Sequence, residues 1–385
     1  MFVSLNGLDK SGKSQQIRML PFYLSDVFHV TAPLSIYNRL WPNLRGSRMF
    51  QWWFSIVTPE ELIEMMIASL NVRYGDNDAN KITLFDRGTK MFKSVCAAMW
   101  AIRKGVTLCD AIQNVDEFFR RGLIYDPDCE FDILLIPDKK YFDSIKQYTD
   151  LAAEHDTEKF TDEEKQYYTY YQSVLRKAID EYFSGMPHGQ LLIVDSPICV
   201  VQNRIRMVLN TRFGIELPMI GRTSSALIGV SGLSESGKSS YAECLRVRHG
   251  FYRLKVGYFT DIVKNSGRVV TPESISVEIL HFLERHYYVK YFSLESIHGV
   301  QVPAFLKMLL GGKFLIVFID TPEDIRIRRC STELGISIDD AVKIVRRKDT
   351  QKLSSGIDKV RKISDIVIDN SEEGAIHNIP APLSL

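Results

Sequence analysis

The pattern G-x-x-x-x-G-K-[ST] stands twice in this chain of 385 residues, as Gly7-Leu8-Asp9-Lys10-Ser11-Gly12-Lys13-Ser14 and as Gly232-Leu233-Ser234-Glu235-Ser236-Gly237-Lys238-Ser239. Each copy follows an apolar run (Phe2 to Leu5; Ala226 to Val230) and precedes a stretch that reads as helix. Strand, glycine-rich turn and helix in that order make a phosphate cradle: successive backbone N–H groups curl around the anion and the helix N-terminus adds positive potential. Lys13 or Lys238 reaches the β/γ-phosphates, and the hydroxyl of Ser14 or Ser239 can hold Mg²⁺. A lone match recurs by chance, but two at the same structural address leave ordinary Gly-Ser turns as the weaker reading. The expected cofactors are therefore ATP and Mg²⁺. The expected contacts are Gly7, Asp9, Lys10, Ser11, Gly12, Lys13 and Ser14 in one loop, and Gly232, Ser234, Glu235, Ser236, Gly237, Lys238 and Ser239 in the other.

A separation of 225 residues between Gly7 and Gly232 leaves room for a complete α/β domain before the second loop begins. The boundaries this suggests are 1–213, a Gly-, Pro-, Thr- and Ser-containing linker at 214–225, and 226–385. An apolar content of 45% can build two cores, and a formal net charge of +1 argues against a polyanion-binding surface spread over the protein. Phosphate recognition is then local, and nucleic acid is not an expected partner. Cys96, Cys109, Cys129, Cys199, Cys244 and Cys330 form no C-x-x-C pair and read as buried reduced thiols rather than metal ligands. The strand beginning at Phe2 leaves no room for a leader, and no apolar stretch approaches the ~18 residues of a spanning helix. These features predict a soluble, cytoplasmic protein without a membrane partner, and they leave a monomer and a homodimer both open.

Along the first half, strands are expected at Phe2–Leu5, Asp26–Thr31, Lys81–Phe85, Phe131–Ile136 and Gln190–Val194. Helices separate them, one of them opening at Pro59-Glu60-Glu61 and one closing the half over Ile198–Phe213; Pro33–Trp53 reads as irregular. In the second half the strands are Ala226–Val230, Leu254–Phe259, Tyr288–Leu294, Phe314–Ile319 and Ile366–Ile368, with helices over Pro272–His286 and Val302–Leu310. Such alternation predicts an α/β protein of two P-loop NTPase domains, each a parallel sheet flanked by helices, with ligands at the carboxyl edge of the strands. Asp9 and the strand-end pair Asp86-Arg87 fall at that edge. Beyond the loop and the fold class the halves differ, so they are not a recent tandem duplication.

Residues 1 to about 210 resemble the thymidylate kinases. The likeness is carried by Asn6 through Gln16, by Asp86-Arg87 followed by Ser94 and Ala97, by the strand Asp132–Pro137, and by the run from Lys159 through Tyr171 to Asp195. It implies Arg87 at an acceptor phosphate, Asp9 near a sugar hydroxyl or that phosphate, and Arg73 at the base or phosphate. The family's R-E-P-G element is replaced by Thr31-Ala32-Pro33-Leu34-Ser35, and the lid, Lys139–Phe160, holds lysines but no arginine. Residues 226–371 are similar to the dephospho-CoA-kinase-like and related nucleoside monophosphate kinases. Here the likeness is carried by Gly257–Lys264, which contains Asp261, and by Glu295-Ser296-Ile297-His298, Asp320–Arg326, Arg346–Asp349 and Asp365–Asn370. It implies Asp261 as a substrate contact, while His298 stands where that group has arginine.

Both resemblances imply phosphoryl transfer from ATP to a small nucleotide-like acceptor, with Lys13, Asp86, Arg87 and Lys238 as catalytic residues. Such chemistry rests on positioning and charge neutralisation; an alcohol acceptor would further want a carboxylate, for which Asp9, Asp86, Asp261 or Glu295 are available. Two rival readings stay open: a nucleotide-dependent switch or assembly protein, and one active kinase unit joined to a pseudokinase. Each residue also has a plainer account. Asp86-Arg87 could be a surface ion pair, Arg328, Arg329, Arg346, Arg347 and Lys348 a solvated helix face, and His298 a structural histidine. The cluster Trp41, Phe50, Trp52, Trp53, Phe54 reads first as packing and second as a wall for a base; Tyr167, Tyr168, Tyr170 and Tyr171 read as structural.

Overall fold

β1 (Phe2–Asn6) and β6 (Ala226–Gly232), the strands that feed the two loops, are almost wholly buried because each lies in the middle of a sheet. In the computed structural model all residues are described except Lys10, Phe22, Tyr23, Ser25, Arg45 and the ranges 153–159, 221–225 and 373–385. The first sheet adds β2 (Phe28–Val30), β3 (Ile82–Asp86), β4 (Glu130–Pro137) and β5 (Leu191–Val194) in the order β2-β3-β1-β4-β5, every pair parallel. The second adds β7 (Tyr252–Lys255), β8 (Tyr291–Ile297), β9 (Phe314–Asp320) and β10 (Ile366–Asp369) in the order β10-β9-β6-β8-β7, again all parallel. Counted from its own first strand, each sheet runs 2-3-1-4-5. Parallel neighbours require crossover helices, so both faces are covered and the strands read as near-continuous apolar runs. Each unit is thus a P-loop NTPase fold.

The chain divides into two compact units, one holding β1–β5 and the other β6–β10, with residues 143–152 and Pro197–Val200 grouped with the second. The last five residues of the expected linker, 221–225, lie outside the described residues.

Side chains alternate along β1 in a way that prepares the site. Val3 and Leu5 turn toward Leu84, Ile133, Leu135, Ile17 and Ile205 in one apolar cluster. Ser4 and Asn6, of opposite parity, turn to the other face, equally buried. There Asn6 Nδ2 donates to Asp132 Oδ1 at 2.9 Å and to Ser4 Oγ at 2.8 Å, while Asn6 Oδ1 accepts from the Gly88 backbone N–H at 2.8 Å. Glu130 accepts from the Thr89 N–H at 2.8 Å and hydroxyl at 2.6 Å. Burial pushes both Glu130 and Asp132 above the usual carboxylate range, against the hydrogen bonds that favour their charged forms. This buried network fixes the chain where it leaves β3.

Two segments and two cysteines depart from expectation. The strand expected over Leu254–Phe259 is Tyr252–Lys255, and Val256–Asn265 is helix: Phe259 and Val263, four apart, are both buried and set a helical period that a short apolar run does not reveal. The irregular stretch Pro33–Trp53 contains a 3₁₀ turn at Leu34–Tyr37 and a helix at Gly46–Gln51 that widens into a π-helix over Trp52–Ile56. Cys109 and Cys129 are exposed rather than buried.

All four tryptophans, Trp41, Trp52, Trp53 and Trp100, lie in the first unit, so their fluorescence follows that unit alone. A methyl group on Gly88 would lie 2.5 Å from both Glu130 Oε2 and Ser4 Oγ. Gly88→Ala is expected to destabilise the first unit by about 1–3 kcal/mol through overpacking of this network. Urea unfolding followed by tryptophan emission measures the shift, and an unchanged midpoint would refute the packing argument.

Candidate active site and its counterpart in the second unit

The two loops are built alike. Gly7 and Gly232 have φ of 138° and 148°, and a Cβ on either would run into the carbonyl oxygen of the next strand, Leu135 or Ile319, and into the hydroxyl of Ser11 or Ser236. Gly12 and Gly237 open the following helices, Lys13–Met19 and Lys238–His249, in the left-handed conformation, at φ of 84° and 94°. Lys13 Nζ folds back to donate to Leu8 O at 2.7 Å and Ser11 Oγ at 3.4 Å; Lys238 Nζ does the same to Leu233 O and, at 3.3 Å, to Ser236 Oγ. Burial lowers the Lys13 pKa to about 8, Arg87 adding repulsion against the pull of Asp9 and Asp86. Lys10 lies outside the described residues.

In the first unit the register Leu5↔Asp86 carries the end of β3 to the loop. Ser14 Oγ donates to Asp86 Oδ2 at 2.5 Å, while the buried Asp86 Oδ1 has no hydrogen-bond partner among the described residues. A hydroxyl beside a carboxylate with one free oxygen is the oxygen set that Mg²⁺ takes in phosphate sites, so these residues fit the ion. The next residue, Arg87, is held at φ 69°, a left-handed conformation that costs a non-glycine residue on the order of 1 kcal/mol or more. The Asn6, Glu130 and Thr89 network is what holds it there. Arg87 pairs with Asp9, which also accepts from the Tyr168 hydroxyl and from Gln172 Nε2 at 3.3 Å. Burial alone would raise the Asp9 carboxyl, but Arg87, Tyr168 and Lys13 together hold it below its usual range, and Asp9 and Asp86 raise Arg87.

Asp9 and Arg87 form the polar floor of a cavity of about 460 Å³ walled by Met49, Phe50, Trp53, Phe54, Phe160, Tyr168 and Tyr171. Phe50, Trp53 and Phe54 are thus wall residues as well as packing; the π-helix is the local irregularity that presents Trp53 and Phe54, and Phe50 stands on the helix that precedes it. Sequence reasoning missed Tyr168 and Gln172. They lie 159 and 163 positions from Asp9, and only their helical spacing on Asp162–Tyr182 signalled a shared face.

Arg73 does not line this cavity. It is 1% exposed, its guanidinium lies 4.3 Å over the Phe85 ring and 5.4 Å from Phe92, and Nε and Nη2 have no hydrogen-bond partner among the described residues. Its Nη1 donates to the Asp86 carbonyl oxygen at 3.5 Å, so the residue expected at a base or phosphate lies buried behind β3 in this structure.

In the second unit Glu295, two residues before the end of β8, stands beside the loop as Asp86 does, and Ser239 Oγ donates to its Oε2 at 3.3 Å. Arg253 from β7 grips both Glu295 oxygens, Nε on Oε1 and Nη2 on Oε2 at 2.9 Å, and reaches Glu243 at 3.2 Å. With the carboxylate bonded to a guanidinium at both oxygens, this set does not fit Mg²⁺ as the first one does, and Ser239, expected to hold the ion, has no free carboxylate oxygen of Glu295 beside it. The residue after Glu295 is Ser296, which at φ 65° shares the left-handed φ of Arg87 but lies within β8 where its register against β6 shifts, and it brings no guanidinium. A cavity of about 400 Å³ at the loop includes Lys238, His298, Lys348 and Lys352 in its lining. The helix Ile338–Ser354 supplies the last two, and it is anchored by the buried pair Arg326–Asp349 at 2.5 Å, with Asp349 also accepting from the Ser234 N–H at 3.0 Å. Burial, and Lys352 after it, lowers the Lys238 pKa to about 7; burial, then Lys352 and Lys238, takes His298 to about 4. Asp261 is exposed on the helix Val256–Asn265 rather than standing at a strand end.

No family model matches this sequence, and no curated protein does. Among solved structures, thymidylate kinase from Ehrlichia chaffeensis is similar at 16% identity over 54% of this chain and 98% of its own, with a TM-score of 0.33. Shikimate kinase from Acinetobacter baumannii covers 40% of this chain and 88% of its own at 14% identity and a TM-score of 0.27. A gluconokinase from Sinorhizobium meliloti covers 40% and 86% at 16% identity and a TM-score of 0.28. Likeness at this level assigns no substrate. Among the described residues no helix is long and apolar enough to cross a membrane.

If Arg73 is a support, Arg73→Met lowers the first unit's stability by about 2 kcal/mol, the scale of a desolvated cation–π contact. The KM for an acceptor then stays within about twofold of wild type, since uniform substrate binding is untouched. A large rise in KM with unchanged stability would return Arg73 to the binding site.

Proposed function

We propose that the first unit is an ATP-dependent phosphotransferase acting on a small nucleotide-like acceptor, with a nucleoside monophosphate as the class that fits best. The observation that carries this reading is the facing of two half-sites across the end of β3. Ser14 and the half-free Asp86 stand on the donor side, and Arg87 with Asp9 stands on the side of the aromatic cavity.

Lys13 and the loop amides hold the donor phosphates, and the acceptor's phosphate meets the Arg87 fork. Mg²⁺ bound at Ser14 and Asp86 would supply charge neutralisation between β- and γ-oxygens. The aromatic walls offer stacking surface for a base and keep water from the acceptor. Asp9 is held below the usual carboxylate range, which makes it a weak base toward an alcohol. That favours an acceptor arriving already ionised, as a phosphate does. ATP turnover measured with a panel of deoxynucleoside and nucleoside monophosphates, nucleosides and dephospho-CoA tests the reading; turnover confined to nucleosides or dephospho-CoA would refute the acceptor class.

Arg87→Lys keeps the charge and loses the fork. We expect turnover to fall roughly 10²-fold or more, a loss of about 3 kcal/mol at the transition state, with ATP affinity nearly unchanged. A variant with wild-type phosphotransfer would make Arg87 a partner of Asp9 and nothing more.

A further inference from the structure

The second unit repeats the strand order and the loop glycines of the first, so its departures are informative. Three of them lie within the same few residues.

The first is the metal position. In the first unit one oxygen of the strand-end carboxylate is bonded to the loop serine and the other is unpartnered among the described residues. In the second, Glu295 is almost fully buried and both oxygens are taken by Arg253. A buried carboxylate gripped at both oxygens surrenders that partner only at the cost of leaving a guanidinium and a carboxylate unpaired, which runs to several kcal/mol. A divalent ion would also have to approach the Arg253 charge.

The second departure is the acceptor cation. Ser296 has the left-handed backbone of Arg87 and no charge to meet a second phosphate. His298, two residues on, stays neutral near pH 7 because burial and the neighbouring lysines hold its pKa at about 4.

The third is the supply of positive charge on the donor side. Lys352, from the helix Ile338–Ser354, lines the same cavity at the loop as Lys238. Lys348 adds a third cation, paired with Glu235 at 3.1 Å. Lysines gathered around one cavity at the mouth of a phosphate loop repel one another, and a bound anion relieves that repulsion.

We propose that the second unit binds the polyphosphate chain of a nucleotide without a divalent ion, with Lys238 and Lys352 in the metal's place, and does not transfer phosphate. The inference rests on the reading of both loops as nucleotide sites. It makes the chain one phosphotransferase unit joined to a binding unit whose ligand is metal-free nucleotide.

Calorimetric titration of the full-length protein with ATP, once in excess Mg²⁺ and once in excess EDTA, tests it. The expected result is two ATP per chain in Mg²⁺. In EDTA one site weakens by at least about tenfold while the other stays within about threefold, because only one of them uses the ion. Lys13→Ala should remove the EDTA-sensitive site and Lys238→Ala the EDTA-resistant one. In Arg253→Gln, which frees Glu295, the resistant site should acquire a dependence on Mg²⁺. Equal weakening of both sites in EDTA, or an EDTA-resistant site that disappears with Lys13→Ala, would overturn the proposal. One ATP per chain in Mg²⁺ would instead overturn the two-site reading beneath it. The wild-type comparison decides the matter even if a variant does not fold.

Discussion

Everything at both sites depends on the parallel pairing of the loop-bearing strand with its neighbour, β1 with β3 and β6 with β8. Because that strand is central, the chain can leave it only at the carboxyl edge. There the neighbour's last residues stand beside the first turn of the loop helix. The Leu5↔Asp86 register puts a carboxylate against Ser14, and in the second sheet Glu295 reaches Ser239 from a point where the β6–β8 register shifts between Gly229 and Ser231. No long-range electrostatic device is needed; the ladder of backbone hydrogen bonds does the positioning.

On that common frame the two units use charge in opposite ways. In the first, the cation after the strand, Arg87, is paired with a loop carboxylate, Asp9, and faces a cavity with aromatic walls. In the second, the cation comes from the edge strand β7 and is spent on the strand-end carboxylate itself, while lysines from a downstream helix crowd the loop. The loop of the second unit is clasped from behind by Asp349 and Arg326, whereas in the first the residue at the matching loop position, Asp9, is bonded to the helix Asp162–Tyr182 through Tyr168 and Gln172. One loop geometry therefore tolerates quite different surroundings.

The sequence disclosed most of the frame. Both loops, the strand segments and the Asp86-Arg87 edge were readable because apolar runs, glycine-rich turns and strand-end acids are local signals. The β7 segment was displaced because Leu254, Val256, Tyr258 and Phe259 satisfy both the strand period and, with Val263, a helical one. Residues brought in from far along the chain were harder. Nothing near Arg253 announces Glu295, 42 positions away, and nothing near Asp349 announces Ser234, 115 positions away. The burial of Arg73 was not legible because buried arginines are rare; only its place on the inner face of a capped helix, close to Leu70, pointed inward.

The left-handed backbone shared by Arg87 and Ser296 bears on how readily such units interconvert. The conformational cost of presenting a side chain from that turn has already been met in the second unit, where a serine occupies it. An arginine grafted there would start from a left-handed φ already in place, at a register shift that β3 lacks, with the grip of Arg253 on Glu295 still to be undone. On the reading proposed above, conversion between the two kinds of site would turn on the residues around one strand end, within a sheet order that both units already share.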